Sequence, residues 1–350
     1  MNKIFLCTLF IVLSYLNLNA QKVYRFKLSP VQTKVSNSLY NSLVVLDYRG
    51  DTTSMGFILA GIMARYTKVV PDIPVSSQFK YLFNSVIDTT AAHGELLLQI
   101  RRLIFAEREN SFTGNGYFNM RANLYAKIGR HYQLVSTIDT LVSKTSLDPT
   151  NAILKSGDEV MADFLIKNLK VKPLISIFSG KDILNIDDME KYELALYNRD
   201  EYTDGLYLTY HSFKNQMPDR QITVDSADLN SGDIRTIEGG GITSKVKAAN
   251  VYAIVYQGHP YVVSEGFYYP LKKVNNDFFF TGKARLSLLP GDELMADIMG
   301  PYTGLVLFGA PTATFEMKID YENGVFIRLK KVLDAKANSG NAQKNKKANN

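Results

Sequence analysis

The sequence predicts an α+β protein, in which an antiparallel sheet with helices on one face is followed by a β-rich second domain. Two observations predict this class. In the first half, segments that alternate apolar and polar residues are interrupted by two segments with apolar residues at helical spacing. In the second half, short apolar runs rich in tyrosine, phenylalanine and valine are separated by turn residues, a pattern typical of strands.

The length and composition indicate a two-domain globular protein. Hydrophobic residues make up 46% of the chain and charged residues 21%, as in ordinary soluble domains, and 350 residues are enough for two domains. We place an α+β domain at 21–171, a connector at 172–202 and a β-rich domain at 203–334. The tail at 335–350 is built of Ala, Asn, Gln, Gly, Ser and Lys, which cannot form a core, so we expect it to be disordered.

The first twenty residues have the pattern of a secretory signal peptide. Lys3 gives a short positive start, residues 4–18 form an apolar run, and Ala20 offers a small residue at the cleavage position before Gln21. The run is shorter than the roughly 20 apolar residues that span a bilayer. We therefore expect an exported protein of the periplasm or cell envelope, with no transmembrane segment once the signal peptide 1–20 is removed. Cys7 is the only cysteine, so the mature chain would contain no disulfide.

The positive net charge is concentrated at the ends of the chain. Of the formal charge of +6, five units come from Lys3 and from four tail lysines, Lys336, Lys344, Lys346 and Lys347. The body of the protein is then nearly neutral, and we predict no nucleic-acid partner. A polyanion bound by the basic tail remains an alternative, and its binding would weaken steeply with salt.

Spacing predicts the elements of the first domain. Apolar residues at i, i+3, i+4 and i+7 predict a helix that begins at Ser76 or Ser77, and the pair Ser156 and Glu159 forms a capping-box pattern for a second helix. Gly129 and Arg130 read as a turn between two strands. The predicted strands lie at 42–49, at 56–70 with a break near Gly61, and at 95–105, 117–127 and 132–142.

The second domain is predicted to consist mostly of hairpins. Apolar runs at 251–256 and 261–263 flank a turn at 257–260, and 278–280 reads as a buried strand. Residues 315–321 and 325–329 form the last hairpin, in which Asn323 and Gly324 predict a type I′ turn.

The stretch at 204–218 is the most distinctive in the chain. An Asp204-Gly205 turn precedes a short extended segment, and Thr209 is placed to cap a helical turn that carries Phe213. The informative residues of this stretch are Gly205-Leu206-Tyr207-Leu208-Thr209, Phe213-Lys214-Asn215 and Pro218. They resemble a recurring pattern in uncharacterised secreted proteins of Gram-negative bacteria. The resemblance covers about 185–331 and implies an exported location and a fold, but no activity.

The first half is similar, in the order of its elements, to periplasmic auxiliary components of ABC-type lipid transporters. Both have a strand, a helix, a long hairpin and a closing amphipathic helix. This resemblance implies an alternative role as an auxiliary component of a lipid transport system. Such proteins normally carry a lipobox, which this sequence lacks.

Searching the sequence for chemistry gives no catalytic residue, no cofactor-binding residue and no metal ligand. The four histidines have no His-Glu-x-x-His spacing, and no Gly-x-Ser-x-Gly elbow is present. The triple glycine at 239–241 lacks the lysine position of a phosphate-binding loop. Carboxylates near Asp225, Asp228 and Asp233 leave an envelope hydrolase as an alternative, with a site that assembles only in three dimensions.

The 21 tyrosines are the feature that favours binding, because tyrosine combines an apolar ring with a polar tip and is common at binding surfaces. We predict a non-catalytic binding or adaptor module, with an envelope protein or a glycan as partner and no cofactor. Strand packing is the competing interpretation of these tyrosines. The predicted recognition surface consists of Tyr207, Tyr210, Tyr252, Tyr256, Tyr261, Tyr268 and Tyr269.

Overall fold

The protein is described by a computed structural model that covers residues 23–60, 65–109, 114–226, 228–237, 241, 243–285 and 311–332. The predicted signal peptide and the predicted tail lie outside these residues. The chain divides between Gly180 and Lys181 into two compact units. Within the ranges just given, none of the helices is both long enough and apolar enough to span a membrane.

The first unit contains a mixed sheet of seven strands in the order β1-β4-β3-β5-β6-β7, with β2 also paired to β5. The pairs β1–β4, β2–β5 and β3–β5 are parallel, and the long hairpins β5–β6 and β6–β7 are antiparallel. The parallel pairing of β2 with β5 requires a crossover, and helix α1 (Val75–Val86) lies in that connection. The strands are β1 (Val23–Phe26), β2 (Tyr40–Asp47), β3 (Gly56–Ala60), β4 (Arg65–Pro71), β5 (Gly94–Glu109), β6 (Gly114–Ile128) and β7 (His131–Ser146), and the helices are α1 (Val75–Val86) and α2 (Pro149–Asn168).

Both helices pack on one face of this sheet, so the predicted α+β class is confirmed. Phe79 and Phe83 of α1 and Leu165 of α2 share a core with the sheet residues Leu98 and Phe118. Close approach of α2 depends on a glycine in its interior: a Cβ at position 157 would collide with the rings of Phe105 and Phe118. A residue that weakens helices is therefore tolerated there because it allows tight packing.

The predicted cap of α1 lies two or three residues after the observed cap position, Pro74, and the predicted cap of α2, Ser156, lies eight residues after the observed cap, Asp148. Helix α1 begins at Val75, directly after Pro74, and no side chain caps it, so Ser76 and Ser77 lie in its first turn. Asp148 caps helix α2, and its carboxylate accepts a hydrogen bond from the Asn151 amide at 3.1 Å. Pro149 follows as the first helical residue, a position that suits its fixed φ, and the expected cap Ser156 is buried inside the helix.

The second unit is built mainly of strands, as predicted. Its three sheets have the orders β11-β10-β9, β14-β13-β12-β8 and β15-β16-β17-β18. Helical segments are short: α3 (Gly180–Leu184), α4 (Ile186–Tyr192) and α5 (Tyr210–Lys214). The strands are β8 (Gly205–Tyr207), β9 (Gln221–Val224), β10 (Ile234–Ile237), β11 (Thr243–Lys245), β12 (Ala253–Tyr256), β13 (His259–Ser264), β14 (Phe267–Pro270), β15 (Lys272–Val274), β16 (Asp277–Arg285), β17 (Thr312–Ile319) and β18 (Phe326–Lys331).

The sheet β14-β13-β12-β8 separates two cores, because its neighbouring residues point to opposite faces. Val255 and Val262 pack into an aromatic core with Phe278 and Phe280. On the other face, Ile254 packs with residues that include Leu229 and Ile234. The segment predicted as a connector, 172–202, contributes Leu196 and Tyr197 to the aromatic core.

The distinctive run at 204–218 has the predicted local structure. The Thr209 hydroxyl accepts a hydrogen bond from the Ser212 amide at 3.1 Å and caps α5. Phe213 is fully buried, and its ring lies 5.2 Å from the Tyr207 ring. The Asp204 carboxylate accepts hydrogen bonds from the backbone amides of Gln257 and Gly258 at 3.1 and 2.8 Å. This run is a structural anchor of the aromatic core.

Candidate functional site

Three of the predicted recognition tyrosines are core residues. Tyr207, Tyr210 and Tyr252 are at most 8% exposed. Their hydroxyl groups donate to the backbone carbonyls of Thr203, Tyr321 and Gly324 at 2.6, 2.6 and 2.7 Å. Burial raises the pKa of the Tyr207 and Tyr210 hydroxyls above the ordinary tyrosine value. The surface interpretation is wrong for these three residues, because their rings pack inside the core and their hydroxyl groups donate to backbone carbonyls.

The other four tyrosines lie on opposite faces of one sheet. Tyr256, Tyr261 and Tyr268 face the core around Leu229 and Ile234. The reciprocal hydrogen bonds of the Asn230 side chain with the Tyr268 backbone, at 2.9 and 2.8 Å, hold that strand in place. Tyr269 faces the other way and lies 6.0 Å from the Phe280 ring. The seven residues therefore do not form one recognition surface.

The carboxylates considered for a hydrolase are used locally. One oxygen of Asp225 accepts the Asp233 amide at 2.6 Å, and one oxygen of Asp228 accepts the Asn230 amide at 3.0 Å. Asp233 pairs with Lys245, whose hydrogen bond lowers the pKa of that carboxyl. These groups order the turn that precedes β10.

The four histidines are all exposed. His93 contacts the Asn41 side chain at 2.9 Å, and His211 contacts Asn215 at 3.2 Å. Among the described residues, no group of three or more histidine, cysteine, aspartate or glutamate side chains is arranged to hold a metal ion.

A buried charged cluster ties α4 to the last sheet. The Lys191 ammonium lies 2.9 Å from Asp277 and 5.3 Å from the centre of the Tyr321 ring. The Tyr321 hydroxyl donates to Glu190 at 2.6 Å, and Lys318 pairs with the second oxygen of Asp277 at 2.8 Å. Because Lys191 and Lys318 both pair with Asp277 and Glu190 accepts the Tyr321 hydroxyl, the cluster serves to position α4.

The second face of the first sheet is polar where the long hairpins meet. Arg121 pairs with Asp139 at 2.6 Å, and the Asn123 amide donates to the Tyr125 hydroxyl at 3.1 Å. Asn119 donates to the Thr140 carbonyl at 2.9 Å. The contacts of Arg121 and Asn119 run from β6 to β7 and help to fix the register of the two strands, whereas the contact of Asn123 lies within β6.

The most unusual surface of the first unit is a segment at 171–178, which we call the apolar edge segment. It runs from the end of α2 along the start of β7, where Tyr132 and Phe178 exchange backbone hydrogen bonds at 2.8 Å in both directions. The Leu174 amide donates to the Leu134 carbonyl at 2.7 Å. The Tyr40 hydroxyl donates to the Val171 carbonyl at 2.7 Å. The backbone of the segment is thus fixed at both ends and at its centre.

The side chains of this fixed backbone extend into solvent. Leu174 is 56% exposed, Ile175 is 103% exposed and Ile177 is 70% exposed. Only Phe178 turns inward, where its ring lies 5.5 Å from the Tyr125 ring. Single exposed apolar residues are common on protein surfaces. Three within four positions on an ordered backbone form a contiguous apolar surface, and such surfaces mark interaction sites.

Cations accompany the apolar edge segment. Residues 164–180 contain three lysines, Lys167, Lys170 and Lys172, and no aspartate or glutamate. Lys170 and Lys172 are exposed, as is Arg130 in the turn that precedes β7. Lys167 pairs with Asp163 at 2.6 Å on the surface of α2.

Sequence reasoning missed this site because it assigned 172–202 to a connector. The available signal was the run Leu174-Ile175-Ser176-Ile177-Phe178 after Pro173. Such a run predicts a buried strand by pattern alone. Its exposure follows from pairing with the edge strand β7, which the pattern cannot reveal.

The fold and this segment define a class: a two-unit α+β protein that carries a fixed apolar surface beside lysines. Comparison with known proteins does not add a family to that class, since no family model and no curated protein matches the chain. A crystal structure of protein XCC0632 from Xanthomonas campestris, described by the family model DUF330, aligns with 49% of this chain and 97% of its own. The identity is 12% and the TM-score 0.25, values that do not establish a shared fold.

Proposed function

We propose that this chain is an exported binding module of the cell envelope and that the apolar edge segment is its recognition surface. One observation carries the proposal: Leu174, Ile175 and Ile177 lie in solvent although the segment that carries them is hydrogen-bonded to β7 through the backbone of Leu174 and Phe178. Water contact with these side chains is unfavourable, and a partner that covers them would remove it.

The energetic gain from covering this surface is substantial. Burying one isoleucine or leucine side chain contributes about 1.5–3 kcal/mol. A fixed backbone also lowers the entropy lost on association, because the binding conformation already exists before the partner arrives. Both effects favour a binding role for this segment over a role as a simple linker.

The export part of the proposal is supported by the leader-like pattern of residues 1–20. Mass spectrometry of the protein recovered from the producing cells tests it: we expect a mature chain that begins at Gln21. A chain in the envelope fraction that still begins at Met1 would contradict cleavage.

Three other functions considered from the sequence have less support. A hydrolase based on Asp225, Asp228 and Asp233 would need carboxylates that face a substrate, whereas these accept backbone hydrogen bonds or pair with Lys245. The role in lipid transport is supported by the order of elements alone. Tyrosine-mediated glycan binding loses its basis because the tyrosines do not share a surface.

Binding to the washed envelope fraction of the producing cells tests the proposal. The variant Ile175→Ser/Ile177→Ser should lose co-sedimentation with that fraction. Leu147→Ser is the matched control, because Leu147 is 91% exposed and lies outside the segment. Equal co-sedimentation of the wild type and both variants, or no co-sedimentation of any, would contradict the proposed function.

A further inference from the structure

We infer that the apolar edge segment docks onto an anionic lipid surface by inserting Ile175 and Ile177 between the headgroups while its lysines contact them. This inference rests on the proposed function and names the partner of the same site. It commits to the membrane itself as the occupant. A protein of the envelope is the competing occupant, and the experiment below separates the two.

The charges around the segment match an anionic partner. Lys170 and Lys172 flank the apolar residues, Arg130 is exposed in the nearby turn, and 164–180 contains no acid. Hydrogen bonds from Thr90 lower the pKa of the Asp88 carboxyl, and Lys34 and Lys170 lie close enough to lower it further. Within 164–180 the cations outnumber the acids, and basic residues next to apolar ones are typical of peripheral membrane contacts.

The backbone of the segment suits the low polarity of a lipid interface. Unpaired amide and carbonyl groups are expensive to place there. The amides of Leu174, Ser176 and Phe178 donate to the carbonyls of Leu134, Leu174 and Tyr132. The Ser176 hydroxyl accepts the Leu134 amide at 3.2 Å. These three amides are therefore paired within the protein, while the isoleucine side chains extend into solvent, where they can meet the lipid.

The size of the apolar surface also favours lipid over protein. A stable protein interface buries roughly 800 Å² on each partner and needs a polar rim of matched shape. The surface here consists of three strongly exposed aliphatic side chains and the less exposed Val171, with lysines beside them. A fluid lipid interface adapts to such a small ridge without any shape complementarity.

Flotation with synthetic vesicles tests the inference with no other protein present. The mature chain from Gln21 onward should float with vesicles that contain phosphatidylglycerol and should remain behind with phosphatidylcholine alone. Substituting both isoleucines by serine should weaken binding by about tenfold per residue, from the loss of apolar burial. Lys170→Glu/Lys172→Glu should weaken it by roughly fivefold or more per lysine, and added salt should weaken it further.

Three controls keep the outcome specific. Leu147→Ser removes an equally exposed apolar side chain elsewhere, and Lys80→Glu reverses an exposed lysine on α1. The same mature chain with Lys336, Lys344, Lys346 and Lys347 all changed to glutamine removes the charge of the tail. We expect all three variants to float as the wild type does.

The possible results distinguish a failure of the lipid inference from a failure of the proposed function. Binding that disappears in the tail variant but persists in the isoleucine variant would overturn the inference in favour of the tail as the polyanion-binding element. Loss of envelope co-sedimentation in the isoleucine variant, without flotation of the wild type on any vesicle, would overturn the inference and leave the proposed function intact, with a protein partner. Flotation that depends on Ile175 and Ile177 and on anionic lipid would support both.

Discussion

Lys191 is buried, and its ammonium nitrogen lies 2.9 Å from Oδ1 of Asp277. The partners come from distant parts of the second unit, since Lys191 belongs to α4 and Asp277 begins β16. The second oxygen of Asp277 lies 2.8 Å from Lys318 of β17. One carboxylate therefore links a helix to two strands, and its removal would leave Lys191 with a more distant acid, Asp188 at 3.6 Å.

We predict that Asp277→Ala destabilises the second unit by about 3 kcal/mol, because breaking a buried ion pair leaves a charge without compensation. Urea-induced unfolding followed by circular dichroism measures the change. Asp163→Ala breaks the exposed pair with Lys167 and should change stability by less than about 1 kcal/mol. Equal effects of the two variants would show that the buried cluster contributes no more than a surface ion pair.

The loop between β17 and β18 gives a second prediction. Gly324 has a φ of +79°, and a Cβ there would collide with Cβ and Cγ of Tyr210. Gly324→Ala should cost about 1–2 kcal/mol for the left-handed backbone and about 1–3 kcal/mol more for the collision. Gly258→Ala is the matched control, because Gly258 has a φ of +74° with open space around it.

Thermal unfolding of the two variants isolates the packing contribution. If Gly324→Ala unfolds at the same temperature as Gly258→Ala, the Tyr210 ring does not restrict that loop. A lower unfolding temperature for Gly324→Ala is the expected result.

High pH gives a third prediction. Burial raises the pKa of Tyr197, Tyr207 and Tyr210 above the ordinary value, so the folded state keeps these protons while the unfolded state releases them above about pH 10. The folded state then binds more protons, and its stability falls as pH rises above that value. At neutral pH this contribution to stability is fully present.

Tyrosinate absorbance and circular dichroism, recorded together during an alkaline titration, measure this effect. We expect part of the tyrosine ionisation to coincide with loss of structure. A sample unfolded in urea is the control, in which the tyrosines should titrate near their ordinary pKa. Full ionisation in a protein that keeps its native circular dichroism would refute the prediction.

Sequence patterns predicted elements better than their boundaries or turns. The hairpins β5–β6–β7 were predictable because their alternation is long and one face is buried. The type I′ turn predicted at Asn323-Gly324 is wrong: only Gly324 of the two has a positive φ, and the loop closes with a hydrogen bond from the Gly324 amide to the Asp320 carbonyl at 2.8 Å. Turns with two left-handed residues occur instead at Gln257-Gly258, Glu265-Gly266 and Asn275-Asn276.

The site was less predictable than the fold for a physical reason. The sequence does not distinguish a surface tyrosine from a core tyrosine. Only the folded chain shows that the hydroxyls of Tyr207 and Tyr252 reach backbone carbonyls inside a core. Ile175 has the reverse problem. Its apolar run reads as a buried strand, and it remains exposed because β7 lies at the edge of its sheet.

A single fluorescent label tests the central claim that the apolar edge segment is a recognition surface. The sequence after residue 20 contains no cysteine, so Ile175→Cys provides one attachment point for an environment-sensitive dye in the mature protein, and Leu147→Cys provides a matched one outside the segment. On adding the washed envelope fraction, we expect the emission of the dye at position 175 to shift to shorter wavelength while the emission at position 147 stays unchanged. Unchanged emission at both positions, or the same shift at both, would contradict the account.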